Sequence, residues 1–216
     1  MSAGEFGGVS RRGAHRARQF GCSAVRFGVL ALALAFAAAC SSTCNLRNPP
    51  PEYASVSLPD TRGRTVTPGV VEHDLAHVVV FTALECPIAN GYAPEIEAIT
   101  RAYATNGVRT YLVFVDRDAT AEKVKAHVQE YSLSAAALLD GEHALANALR
   151  ATVTPECFVL TRAGVAYRGR IDDQYVALGK KRSVVTSHDL RDALDQLLAT
   201  GAPAVISTTA IGCRIE

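Results

Sequence analysis

From residue 77 onward the chain alternates between short apolar runs and segments with helical spacing. Residues 77–82 centre on Val78, Val79, Val80 and Phe81, and a run that short and that apolar predicts a strand covered on both faces. The segment 88–105 repeats apolar residues at helical intervals, Ala93, Ile96, Ile99 and Tyr103, and Asn106-Gly107 supplies its stop. A strand over 109–115, a helix over 120–131, a short strand over 136–139 and a short helix over 143–149 follow. After Thr154-Pro155, the runs 156–160 and 165–170 flank Thr161-Arg162-Ala163-Gly164, the pattern of an antiparallel hairpin. A final amphipathic helix over 187–200 is closed by Gly201. That order predicts an α/β fold with a central mixed sheet flanked by helices. Upstream, Leu58-Pro59 and Thr65-Val66 around a turn at Arg62-Gly63 predict an N-terminal β-hairpin extension.

The first strand delivers Glu85-Cys86-Pro87 to the start of a helical pattern. Backbone N–H groups in a first helical turn lack intrahelical partners and carry partial positive charge, so a thiolate there is stabilised. Proline suits the first helical position, where no N–H is needed, and Pro87 occupies it. Cys86 is therefore a candidate nucleophile, against the plainer expectation of a buried structural cysteine. Together with the X-Pro step at Thr154-Pro155, this corner resembles the thioredoxin-like superfamily, in which a strand–Cys–helix corner faces a cis-proline loop. The resemblance implies that Pro87, Thr154 and Pro155 border the substrate, with the Thr154 backbone able to bond an extended peptide.

Composition changes the picture chiefly at the N-terminus. Arg11, Arg12, Arg16, Arg18 and Arg26 precede an apolar stretch over 27–39 that ends in small residues before Cys40. This predicts a secretory signal over 1–39, too short in its apolar part to span a bilayer comfortably. Ala37-Ala38-Ala39-Cys40 resembles a bacterial lipobox, which implies lipidation of Cys40 and attachment to a membrane; ordinary cleavage nearby or an uncleaved anchor are the alternatives. A tether over 40–52 containing Pro49-Pro50-Pro51, a folded domain over 53–201 and a tail over 202–216 complete the expected organisation. Loss of the signal removes five arginines and Glu5 from 22 basic and 21 acidic residues, which leaves 17 and 20 and a net charge of −3. Nucleic acid is an unfitting partner for such a chain. Cys44, Cys86, Cys157 and Cys213 remain for the folded part, and spacing alone does not choose their pairing.

Three thiol chemistries compete for Cys86. A dithiol reductase needs C-x-x-C, but Ala89 stands where the second thiol would be. Peroxiredoxins carry Thr or Ser three residues before the peroxidatic cysteine, and Ala83 stands there with Thr82 one residue farther away. Copper carriers of the Sco type use C-x-x-x-C and a distant histidine; Asn90 replaces the second cysteine, leaving His143 as a conceivable nitrogen ligand. No metal site and no cofactor are assigned. The string Cys86-Pro87-Ile88-Ala89-Asn90-Gly91-Tyr92-Ala93-Pro94-Glu95, with Thr154-Pro155-Glu156 and Arg168-Gly169-Arg170-Ile171-Asp172-Asp173-Gln174-Tyr175, resembles peroxiredoxin-like redoxin modules of the alkyl hydroperoxide reductase and thiol-specific antioxidant type in bacterial exported proteins.

The resemblance implies a thiol-dependent oxidoreductase acting on a small peroxide or a protein thiol or disulfide, regenerated by an envelope reductant. A thiol–disulfide oxidoreductase without peroxidase activity, or a partner- or copper-binding module, remains open. Cys213 on the tail is the expected resolving thiol, with Cys157 as the alternative. Cys157 is otherwise a core cysteine, and Cys213 a disulfide partner of Cys44 or a surface thiol. Arg150, Arg168 and Arg170 have no motif that fixes them at the site, and the segment from Asp172 to Arg182 is expected to be a solvated loop.

Overall fold

The structure, a computed structural model, describes residues 51–216. The expected signal over 1–39, the lipid-acceptor Cys40, Cys44 and nearly all of the tether lie outside the described residues. A single 3-10 turn, Glu52–Ser55, leads into a hairpin of β1 (Leu58–Pro59) and β2 (Thr65–Val66). Asp60 closes its turn by accepting from the Arg62 and Arg64 backbone N–H groups, both at 2.8 Å.

The central sheet contains β3 (Ala76–Thr82), β4 (Val108–Phe114), β5 (Ala136–Leu139), β7 (Glu156–Thr161) and β8 (Gly164–Gly169), in the order β5-β4-β3-β7-β8. β3, β4 and β5 run parallel, while β7 and β8 add antiparallel on the other side. All of β3 is buried, as its continuous apolar sequence requires, and its side chains alternate between two cores. Val78 and Val80 face Ile96 and Ile99 of α2 (Ala93–Ala104), Val124 of α3 (Ala121–Glu130) and Leu190 and Leu194 of α5 (Asp189–Thr200). Val79 and Phe81 face Leu145 and Leu149 of α4 (Ala144–Leu149) together with Tyr53 and Leu58 from the lead-in. Each such fully buried aliphatic or aromatic side chain contributes about 1.5–3 kcal/mol. Thr120 caps α3 by accepting from the Lys123 N–H at 3.3 Å, and Gly201 closes α5 at φ +83°.

The structure differs from the sequence expectation in three places. The helix expected over 88–105 is two, α1 (Pro87–Gly91) and α2, broken at Tyr92. Pro94 has no N–H to give to residue 90, and its ring crowds that carbonyl, so the chain restarts its helix there. The expected solvated loop after the hairpin is instead anchored at both ends of its acidic pair. Asp172 accepts from the Tyr92 hydroxyl at 2.6 Å, and Asp173 from the Thr186 and Ser187 N–H groups at 2.8 and 3.1 Å. Beyond them β9 (Tyr175–Ala177) and β10 (Lys180–Lys181) form a small hairpin. Finally, the tail contains a strand, β11 (Cys213–Arg214), paired antiparallel with β6 (Val153–Thr154). Among the described residues no helix is long and apolar enough to cross a membrane.

Candidate active site at the Cys86 corner

Cys86 is the N-cap of α1, with Pro87 next in the chain. The short loop before it is fixed from two directions: Asp116, just past β4, accepts from the Leu84 N–H at 3.0 Å, and the Asn90 side-chain amide donates to the Leu84 carbonyl at 3.0 Å. The Ala89 N–H points at the Cys86 sulfur at 3.4 Å, as the free donors of a first helical turn do. Glu85 faces solvent and does not oppose the thiolate from inside.

Facing this corner is the Thr154-Pro155 peptide, which is cis. Thr154 is 1% exposed, and its carbonyl oxygen lies 3.0 Å from the Cys86 sulfur. Glu156 braces the loop by accepting from the Thr152 N–H at 2.8 Å and from Arg168 at 2.6 Å. β11 occupies the open edge of β6, with Cys213 opposite Thr154 and the Ile215 N–H donating to the Thr152 carbonyl at 3.1 Å. This places the Cys213 sulfur 2.7 Å from the Cys86 sulfur. A disulfide closes over about 2.05 Å, so the two thiols need only a sub-ångström approach to join.

The tail is held well before it reaches Cys213. Its backbone pairs with Arg168, through Arg168 N–H to the Ile206 carbonyl and Thr208 N–H to the Arg168 carbonyl, both at 3.0 Å. The Thr208 hydroxyl accepts from the Arg170 N–H at 3.1 Å and meets the Tyr167 hydroxyl at 2.7 Å. Gly169, at φ +144°, makes room for Thr208; a Cβ there would overlap the threonine's hydroxyl and carbonyl oxygens. Gly212 does the same one residue before Cys213, where a Cβ would overlap the Thr154 carbonyl. Sequence reasoning missed Gly169, Thr208 and Gly212, because each is needed only by a partner far away in the chain. The one local sign was a glycine directly before the tail cysteine.

Electrostatics separates the two thiols. Burial raises the Cys86 pKa, but hydrogen bonds from the Cys213 thiol and the Thr154 side chain, with the Ala89 N–H, outweigh it and bring the group below its ordinary value. The Thr154 carbonyl can only accept, so its contact belongs to the protonated thiol and is given up on ionisation. Cys213 moves the other way, pushed up to about 11 by burial, by its hydrogen bond to Cys86 and by the charge of the Cys86 thiolate. As pH rises, Cys86 is therefore the first of the pair to lose its proton, and Cys213 keeps its own.

The remaining sequence candidates lie apart from this contact. Cys157, on β7, is fully buried and donates to the Gly169 and Arg170 carbonyls at 3.1 and 3.4 Å, and burial holds its pKa well above the ordinary value. Arg168 is paired with Glu156 and Arg170 with Asp189, while Arg150 is exposed. The His143 ring bonds the Val115 carbonyl at 2.7 Å. Among the described residues no group of three or more His, Cys, Asp or Glu side chains is placed to hold a metal ion. A cleft of about 450 Å³ opens beside the two sulfurs, lined by Cys86, Cys213, Glu85, Arg117, Asp118 and Arg214.

The two distant parts of the sequence motif meet behind the site. The Tyr92 ring lies 5.2 Å from that of Tyr175 while its hydroxyl reaches Asp172, and a Cβ on Gly91 would overlap the Tyr175 hydroxyl. Arg191 of α5 is bonded to Glu95 at 2.6 Å. The motif therefore holds the break between α1 and α2 against the segment that leads into β9.

Comparison with known proteins agrees with this architecture. Residues 49–177 match the Redoxin family. A hypothetical protein of Sinorhizobium meliloti is similar at 28% identity and TM-score 0.65, over 74% of this chain and 89% of that one. An uncharacterized conserved protein of Geobacillus kaustophilus is similar at 26% identity and TM-score 0.65, over 74% and 87%. A putative thioredoxin of Neisseria meningitidis, at 19% identity and TM-score 0.53 over 69% and 91%, shares the thioredoxin-like fold. No curated protein matches the chain. The family match covers well over half of the sequence and includes Cys86 and the cis-proline loop, and the chain belongs to the Redoxin family.

Proposed function

We propose that this protein is an exported thiol-dependent redox protein in which Cys86 is oxidised by a small peroxide and Cys213 resolves it, with lipidated Cys40 as the membrane attachment. The observation that carries this reading is the 2.7 Å contact between the Cys86 and Cys213 sulfurs. The tail supplies from more than a hundred residues away the second thiol that the Cys86-Pro87-Ile88-Ala89 turn lacks.

The steps follow from the order in which the two thiols ionise. The Cys86 thiolate attacks one peroxide oxygen, the O–O bond breaks, and the leaving hydroxide or alkoxide takes a proton from solvent, which gives a sulfenic acid and water or an alcohol. Cys86 then carries no negative charge, so one of the forces holding the proton on Cys213 is gone. The Cys213 thiolate attacks the Cys86 sulfur, an S–S bond forms, and hydroxide leaves with the released proton as water. Cys86 is only 3% exposed under the tail, which suits a small oxidant better than a protein disulfide.

A second reading, thiol–disulfide exchange with a protein, is favoured by a different observation. β11 lies on β6 as an extended substrate strand would, so a displaced tail would leave that edge free for a cysteine-containing peptide. The test is the initial rate of peroxide consumption with dithiothreitol as donor. The proposal expects turnover that Cys86→Ser abolishes and Cys213→Ser slows strongly. Equal background rates for all three proteins would overturn the peroxidase reading and leave exchange or a non-catalytic binding module.

A further inference from the structure

The Cys86–Cys213 disulfide must be reduced again, and its two sulfurs are not equally open. Thiol–disulfide exchange needs the incoming thiolate to approach along the extension of the S–S bond, so the attacked sulfur must be open on its far side. Cys86 is 3% exposed and sits among the Ala89 N–H, the Thr154 carbonyl and Cys213. Both cysteines border the cleft of about 450 Å³, but Cys213 is only partly buried and lies on the outer strand, so of the two it is the one the cleft exposes.

The tail cannot easily reverse this order of access. Thr208 is latched to Tyr167, Gly169 and Arg170 five residues before Cys213, and β11 pairs with β6 at and after it. Between them Gly212 lies flat against the Thr154 carbonyl. Formation of the disulfide adds a covalent tie to the same arrangement, so Cys86 stays covered.

We propose that electrons enter the oxidised site through Cys213, from an external thiol that forms its mixed disulfide on Cys213 and releases Cys86. This rests on the pairing of Cys86 with Cys213 proposed above, and not on which oxidant made it. In the first step the donor thiolate bonds to the Cys213 sulfur, the Cys86–Cys213 bond breaks, and its electron pair leaves on Cys86. In the second, another thiolate, from the same dithiol or a second monothiol, attacks the donor sulfur and expels Cys213, which takes a proton. The donor ends as a disulfide and the site has gained two electrons. The leaving group fits as well as the access does: the Ala89 N–H points at the sulfur expelled first and stabilises its thiolate, and such thiols leave faster. The donor is accordingly a small thiol or a cysteine on a protruding loop, able to enter a cleft rimmed by both Glu85 and Arg214.

The experiment uses the full chain, oxidised to the disulfide with diamide so that the starting species does not depend on peroxide reactivity. Limiting glutathione is added, the exchange is quenched with acid after a short time, and the adduct is located by peptide mass. The proposal expects glutathione on Cys213 and a free Cys86 thiol, in an excess of about tenfold or more over the reverse. An even split, or glutathione on Cys86, overturns it. Failure of peroxide, but not of diamide, to make the disulfide would instead count against the peroxidase reading and leave this result standing.

Discussion

Cys86 and Cys157 lie in the same core, one at the start of α1 and the other on β7, and both are buried. Their surroundings differ in the direction of the nearby dipoles. Cys157 donates to two carbonyl oxygens, and burial together with the charges of Glu156 and Asp189 keeps it neutral. Cys86 also faces a carbonyl, that of Thr154, but it meets in addition the Ala89 N–H and the Cys213 thiol, which donate, and these outweigh the burial effect. Burial therefore does not distinguish a structural cysteine from a reactive one; the donors and acceptors around it do.

The comparison breaks first if the two residues are exchanged in importance. Cys86→Ser is expected to lower peroxide-dependent thiol oxidation by about 100-fold or more, since no other nucleophile stands at the helix start. Cys157→Ala is expected to leave that rate within about twofold and instead to destabilise the fold by about 1–2 kcal/mol, read as a shift in denaturant midpoint. Loss of activity in Cys157→Ala with an unchanged midpoint would put the resolving role on the wrong residue.

Cys213→Ser sharpens the contrast next: the Cys86 sulfenic acid should persist, trapped by dimedone, while turnover falls about tenfold or more. Gly212→Val is a smaller and more specific perturbation, because it should lift β11 from the Thr154 carbonyl without touching either sulfur. Disulfide closure is expected to slow by about 10- to 100-fold while the first oxidation of Cys86 proceeds. The least of these effects is in pH dependence. Alkylation of Cys86 by iodoacetamide should rise with pH through a midpoint below that of an ordinary thiol, because the thiolate reacts and its pKa is lowered. Cys213→Ala removes one of the donors that lowers it and should move the midpoint upward, while folded Cys157 stays unalkylated over the same range.

Much of this was legible in the sequence where the determinants are local. The run around Val79 and Phe81, the Cys86-Pro87 start and the hairpin around Gly164 all depend on residues a few positions apart, and each element appears within a residue or two of its expected place. The break at Tyr92 was also locally encoded, by Pro94, but the apolar period runs on through it and hides it. What could not be read were the contacts made by distant segments. Asp172 and Asp173 look like a solvated pair until Tyr92 and Thr186 are brought against them. Gly212 and Thr208 sit in an undistinguished tail until the β6 edge and Gly169 give them their partners. Cys213 was a candidate partner for Cys86 on the sequence; the latch that holds the two sulfurs 2.7 Å apart could not be read from it.

The central claim is that Cys86 and Cys213, and not Cys157, form the redox pair. Treatment of the reduced protein with one equivalent of hydrogen peroxide, followed by acid quench and peptide mapping, tests it most directly. The account expects a mass loss of two hydrogens, a crosslinked Cys86–Cys213 peptide pair and a free Cys157 thiol. A Cys86–Cys157 crosslink, or Cys86 and Cys213 both recovered as free thiols, would contradict it.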